Sequence, residues 1–173
     1  MPVAQKFHEL GAEVTSIVGF RNKDIVILED EFNECSDNLV VMTDDGSYGR
    51  HGNVTAPLKE MLENGSQFDE IITIGPLIMM KFVVATAKPY NVPVTVSMNP
   101  IMIDGTGMCG GCRLTLHRGG ERITKIAGVY GPEIYGNEGD FYEAMSGGRM
   151  DSQFERHAYE GKCKLFKTEK EGK

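Results

Sequence analysis

The most restrictive feature of this sequence is a glycine-rich stretch that carries two closely spaced cysteines, Cys109 and Cys112. Glycine permits the positive φ angles of a tight loop, so such a pair can bring two thiolates to one metal centre. Asp104 stands where the plant-type [2Fe–2S] spacing Cys-x₄-Cys-x₂-Cys has its first cysteine. We therefore predict a metal or iron–sulfur site formed by Cys109 and Cys112, whereas Asp104 on its own reads as a turn residue that bonds its own backbone.

The composition limits the class of protein. With 173 residues, 40% of them hydrophobic and 25% charged, the chain resembles one soluble globular domain, or one domain with an appendage. A net charge of −7 disfavours binding to nucleic acid or to an anionic membrane, because both need a basic surface. The 4 cysteines favour a metal site over a disulfide framework. The first residues lack the apolar core of a signal peptide, so we expect a cytoplasmic protein.

Apolar strands alternate with helical segments through the first half of the chain, which is typical of βαβ units with a parallel sheet. Ligands bind such sheets at the carboxyl ends of the strands, so we expect the loop 44–52 and Gly75-Pro76 to lie on one rim. The predicted strands are residues 13–19, 38–42, 70–74 and 92–97, and the predicted helices are residues 3–10, 54–63 and 77–87.

The sequence after the cysteines predicts a small hairpin, with strands at residues 113–117 and 122–126, followed by a polar tail. Short helices are expected at residues 141–145 and 153–159, and the chain is expected to fray from Lys167. We therefore divide the chain into a nucleotide-binding-like α/β domain (1–98), an iron–sulfur loop and hairpin (99–136) and a polar, partly helical tail (137–173).

Three segments, residues 43–49, 74–81 and 99–113, resemble the small subunit of NADH-dependent ferredoxin:NADP⁺ oxidoreductase, also called the sulfide dehydrogenase-like subunit. The electron-transfer subunit of dihydroorotate dehydrogenase has a similar architecture. The resemblance implies an α/β fold with a ferredoxin-reductase-like nucleotide-binding parallel sheet and a small C-terminal [2Fe–2S] region. It also implies a set of residues that bind NAD(H), namely Asp44, Asp45, Gly46, Ser47, Gly75 and Pro76.

Two departures from that family change what is expected. The family begins with an FAD-binding barrel, a first strand and a glycine-rich turn, and this sequence resembles it only from just after that turn. We therefore expect an N-terminally truncated, incomplete sheet. We also expect FAD to be carried by a partner chain. In addition, Gly128 occupies the position of the family's fourth ligand cysteine, which leaves Asp104, Cys109 and Cys112. Cys163 is an alternative source of the fourth ligand.

The nucleotide preference follows from charge. Asp44 and Asp45 disfavour the 2′-phosphate of NADP(H) and favour NAD(H), whereas Arg50 would favour the phosphate. No arrangement of catalytic side chains suggests hydrolysis, and we assign no catalytic residue.

The resulting hypothesis is an oxidoreductase component that passes electrons between NADH, a flavin and a [2Fe–2S] cluster. Its expected partners are a flavoprotein or large oxidoreductase subunit, NAD(H) and ferredoxin. The alternatives are a non-catalytic interaction module that has lost the cluster site, and a loop stabilised by zinc.

Overall fold

The computed structural model describes residues 1–100, 103–104, 106, 108–139 and 141. The chain divides into two compact units, Met1–Gln67 and Phe68–Lys173. Apart from Phe141, the predicted helices at 141–145 and 153–159 lie outside the described residues, as do Cys163 and the end of the chain from Lys167. The predicted boundaries at residues 98 and 136 stay predictions.

The first unit contains a parallel three-stranded sheet in the order β1-β2-β3. Its strands are β1 (Thr15–Phe20), β2 (Asn38–Thr43) and β3 (Arg50–His51), and its helices are α1 (Pro2–Glu9), α2 (Glu29–Glu34) and α3 (Thr55–Glu63). Met42 in β2 and Leu58 and Leu62 in α3 are among the buried apolar residues of this unit. The predicted parallel pairing is confirmed, since β1 and β2 run parallel and in register over their full length.

The second unit contains a mixed sheet in the order β4-β5-β8 and a separate hairpin, β6-β7. Its elements are β4 (Ile71–Ile74), α4 (Leu77–Ala87), β5 (Val94–Ser97), β6 (Arg113–Arg118), β7 (Glu121–Ile126), α5 (Ala127–Tyr130) and β8 (Glu133–Tyr135). Strands β4 and β5 are parallel, as predicted. One face of α4 is buried through Met80, Val83, Val84 and Ala87. None of the described helices is long and apolar enough to cross a bilayer.

Strand β8, helix α5 and strand β3 were not predicted from the sequence. Strand β8 pairs antiparallel with β5, so the sheet of the second unit is mixed instead of wholly parallel. Only the central residue of β8, Ile134, is buried, and three residues are too few to show an alternating pattern. Strand β3 has only two residues, and α5 is a single turn.

Candidate functional site

Cys109 and Cys112 lie in different surroundings within one loop. Cys109 is exposed, whereas the Cys112 side chain is only 3% exposed. Gly110 between them has a φ of 61°, which is the left-handed conformation that glycine adopts without strain. Arg113 Nε donates a hydrogen bond of 3.0 Å to the Gly110 carbonyl oxygen. The loop therefore turns one thiol toward solvent and the other toward the interior.

Backbone amides point at both sulfur atoms. The Gly111 N–H donates to Cys109 Sγ at 3.4 Å, and the Gly128 N–H donates to Cys112 Sγ at 3.2 Å. A third contact holds α5 against the loop, since the Ala127 N–H donates to the Cys112 carbonyl oxygen at 2.9 Å. Amide donors stabilise negative charge on sulfur, and hydrogen bonds to sulfur tune the potentials of iron–sulfur centres.

Asp104 is brought next to Cys109. The Thr106 N–H donates to Asp104 Oδ1 at 3.0 Å. This bond lowers the pKa of the Asp104 carboxyl, and hydrogen bonds from Cys109 lower the pKa further, against the opposing effect of desolvation. The side chain is therefore a carboxylate at neutral pH, with one thiol of the predicted site beside it.

By residue type alone, the loop supplies three of the four protein ligands that a [2Fe–2S] cluster takes, and it lacks the fourth. Such a cluster takes two protein ligands on each iron, and the loop offers Asp104, Cys109 and Cys112. Residue 128, whose amide touches the Cys112 sulfur, is glycine and has no donor side chain. Among the described residues, no three or more His, Cys, Asp or Glu side chains converge where a single metal ion would sit. A structural zinc site needs four donors around one ion, which this part of the chain does not offer.

The predicted nucleotide residues Asp44, Asp45, Gly46 and Ser47 form an exposed turn after β2. The Ser47 amide and hydroxyl both donate to Asp45 Oδ1, at 2.9 and 2.6 Å, and thereby lower the pKa of the Asp45 carboxyl. Ser47 Oγ in turn accepts the Lys23 N–H at 2.8 Å. These bonds fix the shape of the turn at the carboxyl end of its parallel sheet.

Thr43, the last residue of β2, supports this turn, a role that the sequence analysis did not assign to it. It is fully buried, and its hydroxyl both donates to the Tyr48 carbonyl oxygen at 2.5 Å and accepts the Tyr48 N–H at 3.2 Å. Nothing in the sequence indicates that a threonine at the end of an apolar strand would bond the backbone of the following turn.

Arg50 is engaged with a carboxylate. One terminal nitrogen of its guanidinium donates to both carboxylate oxygens of Glu60, at 2.8 Å each. The pair is about half exposed on both sides. The one nearby cation that the sequence suggested for a 2′-phosphate is therefore paired within the protein.

Gly75 and Pro76 follow β4 and lead into α4. Gly75 has a φ of 151°, and a Cβ at this position would lie 2.5 Å from Met79 Cε. The Pro76 carbonyl oxygen accepts the Met80 N–H at 3.1 Å, so the helix begins directly after the proline. The first amides of a helix lack internal partners and can bind an anion. The turn 44–47 and Gly75-Pro76 belong to different compact units, and their placement on one rim stays a prediction.

The sequence did not reveal that the backbone amide of Gly128 contacts the cysteine loop. The sequence shows only that residue 128 cannot supply a side-chain ligand. That its N–H donates to Cys112 Sγ depends on the turn of α5, which no local pattern predicts.

Comparison with known proteins gives consistent matches. Residues 99–138 match the family model described as the iron–sulfur cluster binding domain of dihydroorotate dehydrogenase B. An electron-transfer subunit homolog of NAD⁺-dependent dihydroorotate dehydrogenase B from Thermotoga maritima is 43% identical over 92% of this chain and 54% of its own length. An uncharacterized protein in the adh 3′ region of Clostridium beijerinckii is 46% identical over 95% of this chain and 53% of its own.

A solved structure shows the same fold. A chain from the structure of an NADH-dependent reduced ferredoxin–NADP oxidoreductase, studied for flavin-based electron bifurcation, superposes with a TM-score of 0.74 and 41% identity. The match covers 94% of this chain and 57% of that one. The sequence thus spans about half the length of the relatives that it matches.

Proposed function

From the premise that this chain belongs to the family of iron–sulfur electron-transfer subunits typified by dihydroorotate dehydrogenase B, we propose that it is an electron-transfer component of an NAD(P)H:ferredoxin-type oxidoreductase. A [2Fe–2S] cluster in such a protein accepts and gives up one electron at a time. Residues Asp104, Cys109 and Cys112 are the proposed protein ligands.

The observation that supports this proposal most is the pair of amide–sulfur hydrogen bonds in the cysteine loop. Both thiols receive an N–H donor, and one of these donors comes from a segment distant in sequence, at Gly128. This arrangement is suited to sulfur that carries negative charge at a metal centre. It lies within the residues that match the iron–sulfur family model.

We further propose that NAD(H) binds at the turn of Asp44, Asp45, Gly46 and Ser47 and at Gly75-Pro76. The fixed carboxylate of Asp45 and the pairing of Arg50 with Glu60 both disfavour a 2′-phosphate, so NADH is the preferred nucleotide. The start of α4 offers unpaired amides to an anionic group.

The flavin is proposed to reside on a partner flavoprotein or large oxidoreductase subunit, with ferredoxin as the candidate acceptor. The three described cysteines are free, which is consistent with the reducing cytoplasm as the proposed location.

Anaerobic purification followed by a visible spectrum and an iron and sulfide assay tests the proposal. We expect a brown protein that dithionite bleaches, with about two irons per chain. Cys109→Ser and Cys112→Ser should lose most of the iron. Cys35→Ser is the matched control, because Cys35 belongs to the other compact unit. A colourless protein that takes up no iron after reconstitution would leave the non-catalytic interaction module as the better account.

A further inference from the structure

Helix α1 carries an apolar stripe but has no buried residue. Val3 and Phe7 in the helix and Leu10 directly after it recur at helical spacing, so they lie along one side. Their exposed fractions are 41%, 41% and 71%. A helix of 8 residues is too short to be stable in water by itself, and such helices are stabilised by packing of an apolar face. These three residues, the α1 stripe, are therefore suited to pack against another segment.

Strand β1 is an edge strand, because among the described strands it pairs with β2 alone. The Val14 carbonyl oxygen accepts the N–H of the first residue of β2 at 3.2 Å, and the Phe20 carbonyl oxygen accepts the N–H of the residue that follows β2 at 3.0 Å. Backbone groups alternate in direction along a strand, so the even-numbered residues of β1 face β2. Thr15, Ile17 and Gly19 therefore direct their N–H and C=O groups toward the free edge.

The free edge of β1 lacks the features that normally prevent an edge strand from pairing. Such strands are usually very short, charged, interrupted by proline or covered. The six residues of β1, Thr-Ser-Ile-Val-Gly-Phe, include no charged residue and no proline. The opposite edge of the same sheet is different, since β3 has only two residues, Arg50 and His51. One edge of the sheet is thus protected against pairing, and the other is suited to it.

The chain order brings the α1 stripe and the free edge of β1 together. Parallel strands are joined by crossover connections, and a βαβ unit places its helix over two adjacent parallel strands. The chain joins β1 to its parallel partner β2 in this way, through α2. Helix α1 leads into β1 through a short loop, and the same geometry places α1 over β1 and the position beside its free edge. A strand added there would meet both the backbone groups of β1 and the α1 stripe.

We propose that the free edge of β1 and the α1 stripe form a docking site for an apolar β-strand of a partner polypeptide, which pairs parallel to β1. The backbone groups select an extended segment, and the stripe selects apolar side chains at alternate positions of that segment. The length of the relatives supports a strand from outside this sequence. This chain matches 53% of the Clostridium beijerinckii protein and 54% of the Thermotoga maritima homolog, so about half of each relative has no counterpart in it.

The test co-expresses the full chain with the part of the Thermotoga maritima homolog that it does not match, and measures amide hydrogen exchange in the purified complex. We expect a one-to-one complex in which Thr15, Ile17 and Gly19 exchange more slowly than in the chain alone, by about tenfold or more. The amides of Ser16 and Val18 already face β2 and should change less. This alternation along β1 distinguishes strand addition from contact at any other surface.

Two variants test the two halves of the docking site. Ile17→Pro removes an N–H that faces the free edge and leaves the pairing with β2 intact, a position at which edge strands tolerate proline. Phe7→Glu places a charge in the α1 stripe. Each should weaken the complex by about tenfold or more, measured by titration. Gln5→Glu is the matched control, because it adds the same charge to α1 outside the stripe, and it should bind as wild type does.

The other outcomes overturn the proposal. Slow exchange of Thr15, Ile17 and Gly19 in the chain alone at every dilution would mean that the chain covers its own edge. Slow exchange that appears only at high concentration, together with a dimer, would make a second copy the occupant. The absence of a complex, or a complex that survives both Ile17→Pro and Phe7→Glu, would contradict the docking site. Equal weakening by Gln5→Glu and Phe7→Glu would assign the effect to net charge and not to the stripe.

Discussion

The backbone amide of Gly128 can be tested separately from the lack of a side chain at this position. Substitution by proline removes the N–H, whereas substitution by alanine keeps it. Gly128→Pro removes the N–H that donates to Cys112 Sγ, and the first turn of a helix tolerates proline. Loss of a hydrogen bond to sulfur destabilises the more negative, reduced cluster. We therefore predict a lower reduction potential for Gly128→Pro than for Gly128→Ala, measured by potentiometric titration. Equal potentials in the two variants would show that this amide has no influence on the centre.

Glu60 is predicted to control nucleotide preference through Arg50. Glu60→Gln releases the guanidinium from its two bonds of 2.8 Å and makes it available to a phosphate. The affinity for NADPH relative to NADH should rise several-fold, measured by fluorescence titration of both nucleotides. The matched control is Glu63→Gln, which removes a carboxylate of the same helix that pairs with Lys59. If Glu63→Gln raised the relative affinity for NADPH by a similar factor, the effect of Glu60→Gln would be due to net charge alone.

At the level of secondary structure elements, the turn between β2 and β3 depends on Gly49. Its φ is 61°, and a Cβ at this position would clash with the Val41 carbonyl oxygen of β2. Gly11 has a φ of 84° but nothing within 4 Å of its Cβ position. We expect Gly11→Ala to lower the free energy of unfolding by about 1 kcal/mol from backbone strain alone. Gly49→Ala should lower it by at least about 2 kcal/mol, because the strand must also shift. Urea denaturation distinguishes the two, and equal losses would contradict the steric argument.

The end of the hairpin is held by an ion pair between β6 and the chain after β8. Arg118 Nε and a terminal nitrogen donate to the two Glu138 oxygens at 2.8 and 2.7 Å. The Arg118 hydrogen bonds lower the pKa of the Glu138 carboxyl, against the effect of desolvation. The resulting stabilisation is present above the unfolded-state pKa of glutamate and is lost as the pH falls through the lower folded-state value.

Glu138→Gln should therefore reduce the loss of stability on acidification below about pH 4.5. Urea midpoints measured at a series of pH values, with Glu63→Gln as the control, test this expectation. A wild-type pH dependence that persists in Glu138→Gln would assign the acid sensitivity to other groups.

At the scale of the whole molecule, the division into two compact units predicts that a substitution in one unit leaves the stability of the other unchanged. Cys112 belongs to the second unit, whereas β1 and β2 belong to the first. We predict that Cys112→Ser removes iron and increases amide hydrogen exchange in β6 and α5. Exchange in β1 and β2 should remain at the wild-type rate. Faster exchange throughout the chain would instead mean that the cysteine loop supports both units.

Sequence reasoning identified the elements whose signals are local. Helix α4 runs from Leu77 to Ala87 as predicted, because Pro76 marks its start and an apolar run defines its length. Sequence reasoning missed the elements and contacts that depend on partners distant along the chain. Strand β8 exists because Ile134 pairs with Val96, and Cys112 is buried because the chain returns to it at Ala127 and Gly128. A sequence pattern contains no information about such returns when the segment involved is one turn or three residues long.

The antiparallel pairing of β5 with β8 also has a consequence for folding entropy. Ser97 pairs with Glu133, and the whole cysteine loop lies in the chain between them. Joining these two strands closes a long loop, which costs chain entropy, and the hydrogen bond from the Gly128 N–H to Cys112 Sγ closes a shorter loop inside it. Whichever event occurs first reduces the entropic cost of the other. Completion of the sheet and formation of the Cys112–Gly128 contact are thus expected to be cooperative, and a chain that lacks this contact is expected to lose β8 before any other strand of its sheet.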